Sequence, residues 1–317
     1  METLTNRSYA GKTDIEAIAS LLNTSKSARS FDEWPSVAEM LMQFDDPSID
    51  KNLDLRLWET GAEKLVAVAG LMIPAAETFN RILWFAVLPS AKSEDLETKI
   101  LDWGAGRMQD FAKERGVGSI SMLCPTHEEN SDRINLLEDS GFQIERYFLA
   151  MERSLSEPIR EAQLPEGFRL RSPRQEDAEV WVEAFNQIFI DHWNHWDLTL
   201  EAFKHKLDDP TYRSDLSLVA IAPDDRMAAL CDCHIIEKDD TDTREGWINI
   251  LGTRGEFRKR GLGRGILLAA LQNFKAEGLD SVILYVDAEN LSGAIGLYES
   301  VGFRRANTQI AYMKQLE

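Results

Sequence analysis

Residues 258–265 read Arg-Lys-Arg-Gly-Leu-Gly-Arg-Gly, four basic residues and three glycines in eight positions of a chain whose formal net charge is -19. They follow an apolar run and open a helical pattern. The start of a helix exposes unpaired backbone N–H groups at the positive end of its dipole, so it holds anions without help from side chains. Gly261 and Gly263 keep side chains off that backbone. Arg258, Lys259 and Arg260 add charge and donors around the same point, while Arg264, inside the helix, reads as a solvated residue. This is chemistry suited to gripping a polyphosphate.

Two familiar phosphate loops do not fit. A P-loop ends in Gly-Lys-Ser/Thr, whereas Arg-Gly-Ile follows Gly263. A dinucleotide fingerprint needs a glycine where Ile266 stands, and a buried strand where the basic run lies.

The loop has the form Arg-x-x-Gly-x-Gly, placed between a strand and a helix, and here the chain resembles the GCN5-related N-acetyltransferase (GNAT) family. The stretch VDAENLSGAIGLYESVGF (286–303) strengthens the likeness, with Asn290 after a strand and Tyr298 inside the next helix. The resemblance implies that the loop, through Arg258, Lys259, Arg260, Gly261, Leu262 and Gly263, cradles the pyrophosphate of acetyl-coenzyme A. It implies that Leu251, Gly252 and Thr253 offer backbone groups to the pantetheine and the thioester. Asn290 either joins them or simply caps its helix. A thiol has a pKa of about 8.5 and a phenol of about 10, so a positioned Tyr298 hydroxyl can protonate the departing sulfur, a contribution of about 100- to 10,000-fold. The bland alternative is a tyrosine ring that only packs between helix and sheet.

The base that neutralises the attacking amine is less legible. Glu245, Asn249 holding a water, Asp232 and His234 are the candidates, on two neighbouring strands. DHWNHW (191–196) either binds an amine through its aromatic rings or anchors a helix turn.

An internal duplication organises these groups. LLEDSGF (136–142) echoes LYESVGF (297–303), and EEN at 128–130 echoes AEN at 288–290. Each half runs through helices, a set of strands, a long helix stopped by Gly116 or Gly278, a strand and a short helix. In the first half, 14–22 and 36–44 read as helices; at the end of the second, 303–316 reads as two short strands. The expected organisation is a degenerate GNAT-like domain over 1–153, a polar linker over 154–166 and a catalytic GNAT domain over 167–317. The fold class is mixed α/β, two tandem domains each with a largely antiparallel twisted sheet flanked by helices. This is the tandem type similar to the mycothiol synthases.

The first half lacks the chemistry of the second. Its loop counterpart, LPSAKSEDLETK (88–99), carries carboxylates in place of glycines, and Leu137 stands where Tyr298 does. A scaffolding or substrate-covering role is expected there.

Bulk composition bounds the rest. At 317 residues, with 44% hydrophobic and 28% charged residues, the chain can bury two cores. Scattered acidity disfavours nucleic acid as a partner. No membrane span or signal segment is expected, and the three cysteines, Cys124, Cys231 and Cys233, suit a reducing cytosol. Without a second ligand pair, no metal site is expected. The expectation is thus a cytoplasmic N-acetyltransferase, monomer or homodimer, passing an acyl group to a small-molecule primary amine in a ternary complex. A noncatalytic acyl-coenzyme A sensor is the competing reading.

Overall fold

A computed structural model describes residues 4–25, 40, 44, 49–61, 64–72, 80–193, 195, 197–209, 211–237, 244–290 and 292–316. The helix expected over 36–44 lies almost wholly outside the described residues, as do Asn194 and Trp196 of DHWNHW.

The chain forms two compact units: Met1–Tyr147 together with Gln309–Glu317, and Phe148–Thr308. In the first, β1 (Thr5–Ser8), β2 (Leu55–Glu59), β3 (Leu65–Met72), β4 (Arg81–Val87) and β5 (Ile120–His127) pair in sequence order. Gln309–Leu316, from β12 (Arg304–Leu316), then adds antiparallel to β5. Helices α1 (Lys12–Ser25), α2 (Glu94–Arg115) and α3 (Ser131–Asp139) complete the unit.

The second unit repeats this order with β7 (Arg169–Arg171), β8 (Leu218–Ile221), β9 (Met227–Glu237), β10 (Arg244–Thr253) and β11 (Ser281–Asp287). Its sixth strand is Phe148–Ser154, the latter part of β6 (Gln143–Ser154), antiparallel to β11. The helices are α4 (Ala178–Phe189), α5 (Leu200–Leu207), α6 (Leu262–Ala276) and α7 (Ala294–Ser300). In both units every pairing is antiparallel except one, β4 with β5 and β10 with β11. The compact units are therefore not linear halves, because each takes its last strand from the other half of the sequence.

The duplication is visible in backbone detail. Phe142 N–H donates to Leu137 at 2.9 Å and Phe303 N–H to Tyr298 at 3.1 Å, closing α3 and α7 alike. The preceding Gly141 and Gly302 have φ of +83° and +96°, the left-handed turn that a Cβ disfavours.

Two sequence expectations are corrected. β1 was not foreseen, since Thr-Asn-Arg-Ser has little apolar content; it forms an edge strand whose Arg7 binds Asp14 and Glu59 at 2.8 and 2.7 Å. Residues 304–316 form one strand instead of two, because Ala-Asn-Thr contains neither glycine nor proline to turn the chain.

Each unit has its own core. In the second, one face of the sheet packs against α6 through Leu267, Leu271 and Phe274, all fully buried. The other face packs against α4 and α5, where the rings of Trp181 and Phe203 stack 4.3 Å apart. The segment 154–166 is held against α6: Lys275 Nζ donates to Leu155 O at 2.6 Å and Gln272 to Arg160 O at 3.1 Å. Gly265 permits this contact, since a Cβ there would lie 2.5 Å from Gln163 O.

Candidate functional site

The second unit opens between β10 and β11. The two strands pair only at Gly246 with Val282 and Trp247 with Ile283. Past that point β10 keeps its ladder with β9 but not with β11, and its register shifts between Ile248 and Ile250. The extra residue of this bulge is Asn249, which is exposed. β4 in the first unit pairs with β3 without a shift. A bulge bends a strand and frees backbone groups from the ladder, so Leu251, Gly252 and Thr253 line an opening with polar backbone facing it.

The glycine loop closes one side of that opening. Gly261 adopts φ +87° at the start of α6, with no side chain capping the helix, and Lys259 is also left-handed at +61°. Gly265 N–H donates to Gly261 O at 3.0 Å, so the amides of Leu262, Gly263 and Arg264 precede the first helical bond. A Cβ on Gly263 would sit 3.6 Å from Thr253 Oγ1 and 3.5 Å from Leu297, which brings loop, strand end and α7 together.

The basic side chains divide in use. Arg258 braces the backbone, donating from Nε to Thr253 O at 3.0 Å and from Nη2 to Ile188 O at 2.9 Å. Lys259 is exposed, and Arg260 lies over the Phe257 ring at 5.7 Å. Arg264 donates to Ser300 Oγ at 3.0 Å and so ties α6 to α7. Arg254 was not singled out by the sequence. It is buried and bonds Gln187 at 2.6 Å and Glu183 at 3.3 Å, fixing the end of β10 to α4. An arginine beside a basic run carries no sign of such burial.

Tyr298, on α7, is buried, with Phe303 5.9 Å away. Burial pushes its phenol well above the ordinary range, and Cys231 adds to the effect. The hydroxyl therefore stays protonated, the form a proton donor requires. Asn290 accepts the Ser292 N–H at 2.8 Å through Oδ1, as an Asx turn.

The base candidates separate by position. Glu245 lies six residues before Leu251, about 20 Å along an extended strand, and accepts from Ser281 Oγ at 3.4 Å. Asp232 and His234 pair across to Ile250 and Trp247. Asp232 is committed to Lys206 Nζ at 2.5 Å; burial opposes its charge, but Lys206 and His234 hold its carboxyl below the ordinary value. His234 is buried against Thr211 Oγ1 at 2.8 Å. Only Asn249 is exposed at the opening itself. His192 and Trp193 lie apart in role: Trp193 packs on Phe148 at 5.8 Å and His192 on Phe189 at 5.8 Å.

The first unit presents the inverse at the corresponding helix start. Ser93 caps α2 by accepting from Leu96 N–H, and Glu94, Asp95 and Glu97 occupy the first turn. Glu97 is buried with Arg133 at 3.2 Å, and the Arg133 guanidinium lies 3.5 Å over Phe85. Leu137 is fully buried. Among the described residues no group of three or more histidine, cysteine, aspartate or glutamate side chains could hold a metal, and no helix is long and apolar enough to cross a membrane.

Comparison with known proteins agrees with this geometry. Residues 178–303 match the profile described as the Acetyltransferase (GNAT) family. A protein named mycothiol acetyltransferase, from Thermobispora bispora, is 32% identical over 179 residues, which span 55% of this chain and 59% of that protein. That match thus covers less than two thirds of its relative. The protein of the same name from Kocuria rhizophila is 27% identical over 301 residues, 89% of this chain and 95% of its own. The crystal structure of a GCN5-related N-acetyltransferase from Sphaerobacter thermophilus superposes with a TM-score of 0.76 at 21% identity, covering 98% of this chain and 95% of that one. The chain belongs to the GNAT acetyltransferase family, through the domain that residues 178–303 build.

Proposed function

We propose that the second unit is an acetyl-coenzyme A-dependent N-acetyltransferase, passing its acyl group directly to the primary amine of a small molecule while both substrates are bound. The observation that carries this reading is the convergence of three features on one opening: the unpaired end of β10 after the Asn249 bulge, the uncapped start of α6, and Tyr298.

Each group has a task that its surroundings suit. The amides of Leu262, Gly263 and Arg264 and the charges of Lys259 and Arg260 receive the diphosphate. Arg258 acts on the cradle from behind, by fixing Thr253 and Ile188. The freed backbone of Leu251–Thr253 aligns the pantetheine as an added strand would. The neutral amine nitrogen attacks the thioester carbonyl carbon; the C–N bond forms, the C–S bond breaks, and Tyr298 gives its proton to the departing sulfur. A water held by Asn249 takes the amine proton to solvent. The first unit, with carboxylates at its helix start and no phenol, performs no transfer. The relatives' name makes a mycothiol-related amine the first acceptor to assay.

The test is release of free thiol from acetyl-coenzyme A with a panel of primary amines. Turnover that Tyr298→Phe lowers by at least about 100-fold supports the enzyme. Tight cofactor binding with no turnover on any amine would instead establish the noncatalytic sensor.

A further inference from the structure

The first unit holds a second concentration of positive charge, far in sequence from the glycine loop. A pocket of about 550 Å³ is lined by Lys51, Asp54, Arg81, Arg107, Phe111 and Arg115 among others. Arg107, Phe111 and Arg115 recur at every fourth position of α2 and so share one helix face. Arg81 begins β4, whereas the counterpart of the glycine loop follows the other end of that strand.

The charges do not cancel within the pocket. Asp54, 1% exposed, serves two guanidiniums: Arg107 Nε donates to Oδ1 at 2.8 Å and Arg81 Nη1 lies 3.0 Å from Oδ2. Arg81 is 2% exposed, and its Nε has no hydrogen-bond partner. An unpartnered buried guanidinium nitrogen is costly. Arg81 and Arg115 both lie over the Phe111 ring, 4.0 and 5.4 Å from its centroid. Burial lowers the Arg81 pKa against the pull of Asp54, and Arg107 and Arg115 push the same way as burial. Arg115 is exposed and has no carboxylate partner among the described residues. Four cations face three carboxylates, Asp50, Asp54 and Glu114, in a chain of net charge -19. The carbonyl end of α2 contributes only about half a negative charge, too little to reverse that sign.

We infer that this pocket binds a small oxyanion, the carboxylate or phosphate group of a metabolite-sized ligand, with Arg115 and Arg107 at its mouth and Arg81 behind them. The planar guanidinium fork matches either group in a two-point contact. Such an anion supplies the acceptor that Arg81 Nε lacks. The inference is independent of acyl transfer, since none of these residues belongs to the second unit.

Isothermal titration of the full chain with inorganic phosphate and, separately, with citrate tests it at low ionic strength. The expected result is saturable heat with at least one of them. Arg115→Glu, an exposed position, should weaken that binding by about tenfold or more, and Glu114→Gln, which removes a competing carboxylate, should tighten it. A misfolded protein would not give opposite signs in these two variants. The tighter of the two anions identifies the group recognised. No saturable heat from either, or heat that Arg115→Glu leaves unchanged, overturns the inference.

Discussion

Arg258 and Thr253 are joined by a hydrogen bond of 3.0 Å from Nε to the carbonyl, and the same guanidinium reaches Ile188 O at 2.9 Å. The first arginine of the basic loop thus holds the end of β10 against the end of α4. Its charge and its bracing act on the same place. Arg258→Lys keeps the charge but not the two-pronged contact. It should raise the donor KM and lower kcat together, with a change in melting temperature of no more than a few degrees; steady-state kinetics beside a thermal melt separates the two roles.

Tyr298 lies buried with its phenol pushed well above the ordinary range. A raised phenol remains a proton donor as pH rises, so the alkaline limb of the kcat profile should not fall below pH of about 10, the ordinary phenol value. Tyr298→Phe should cost about 100- to 10,000-fold in kcat with the donor KM little changed. A pH series of initial rates for both proteins checks this.

Gly252 packs where no side chain fits. A Cβ there would lie 2.2 Å from Ile188 Cγ2 and 3.1 Å from the Phe189 ring. Gly252→Ala should destabilise the protein by about 1–3 kcal/mol, as overpacked cores do, and should widen the opening between β10 and α4. Denaturant unfolding measures the first effect and donor affinity the second.

Asp232 and Lys206 form a pair that is 3% and 27% exposed at the side chains. Lys206→Met leaves a buried carboxylate uncompensated and should cost toward the lower end of about 3–5 kcal/mol, because the lysine remains partly wet. The Asp232 carboxyl is depressed in the fold, so its contribution is present above the unfolded value of about 3.9 and is lost as pH falls through the folded value. Acid unfolding of Lys206→Met should consequently show a weaker dependence on pH than the parent below pH of about 4.

What the sequence made legible follows from how local each feature is. The glycine loop, the stops at Gly116 and Gly278 and the paired LLEDSGF and LYESVGF caps are set by backbone conformations within a few residues, and they appear where those residue types require them. The exchanged last strands were not legible, because pairing between Phe148–Ser154 and β11, or Gln309–Leu316 and β5, depends on long-range register. The bulge at Asn249 was hidden for the same reason: WINILG reads as an unbroken strand until its partner is known. Arg254 and Arg81 looked like surface charges, and only packing shows them buried.

The two units also make a numerical claim. With α6 uncapped and α2 capped by Ser93 and carrying three carboxylates in its first turn, the chain should take up one coenzyme A per molecule. Calorimetric titration with coenzyme A measures this directly, using the parent protein and Gly263→Val, whose branched side chain would press on Thr253 and Leu297. The account predicts saturable heat at one equivalent, weakened by about tenfold or more in the variant. No heat in the parent, two equivalents, or equal affinity in Gly263→Val would contradict it.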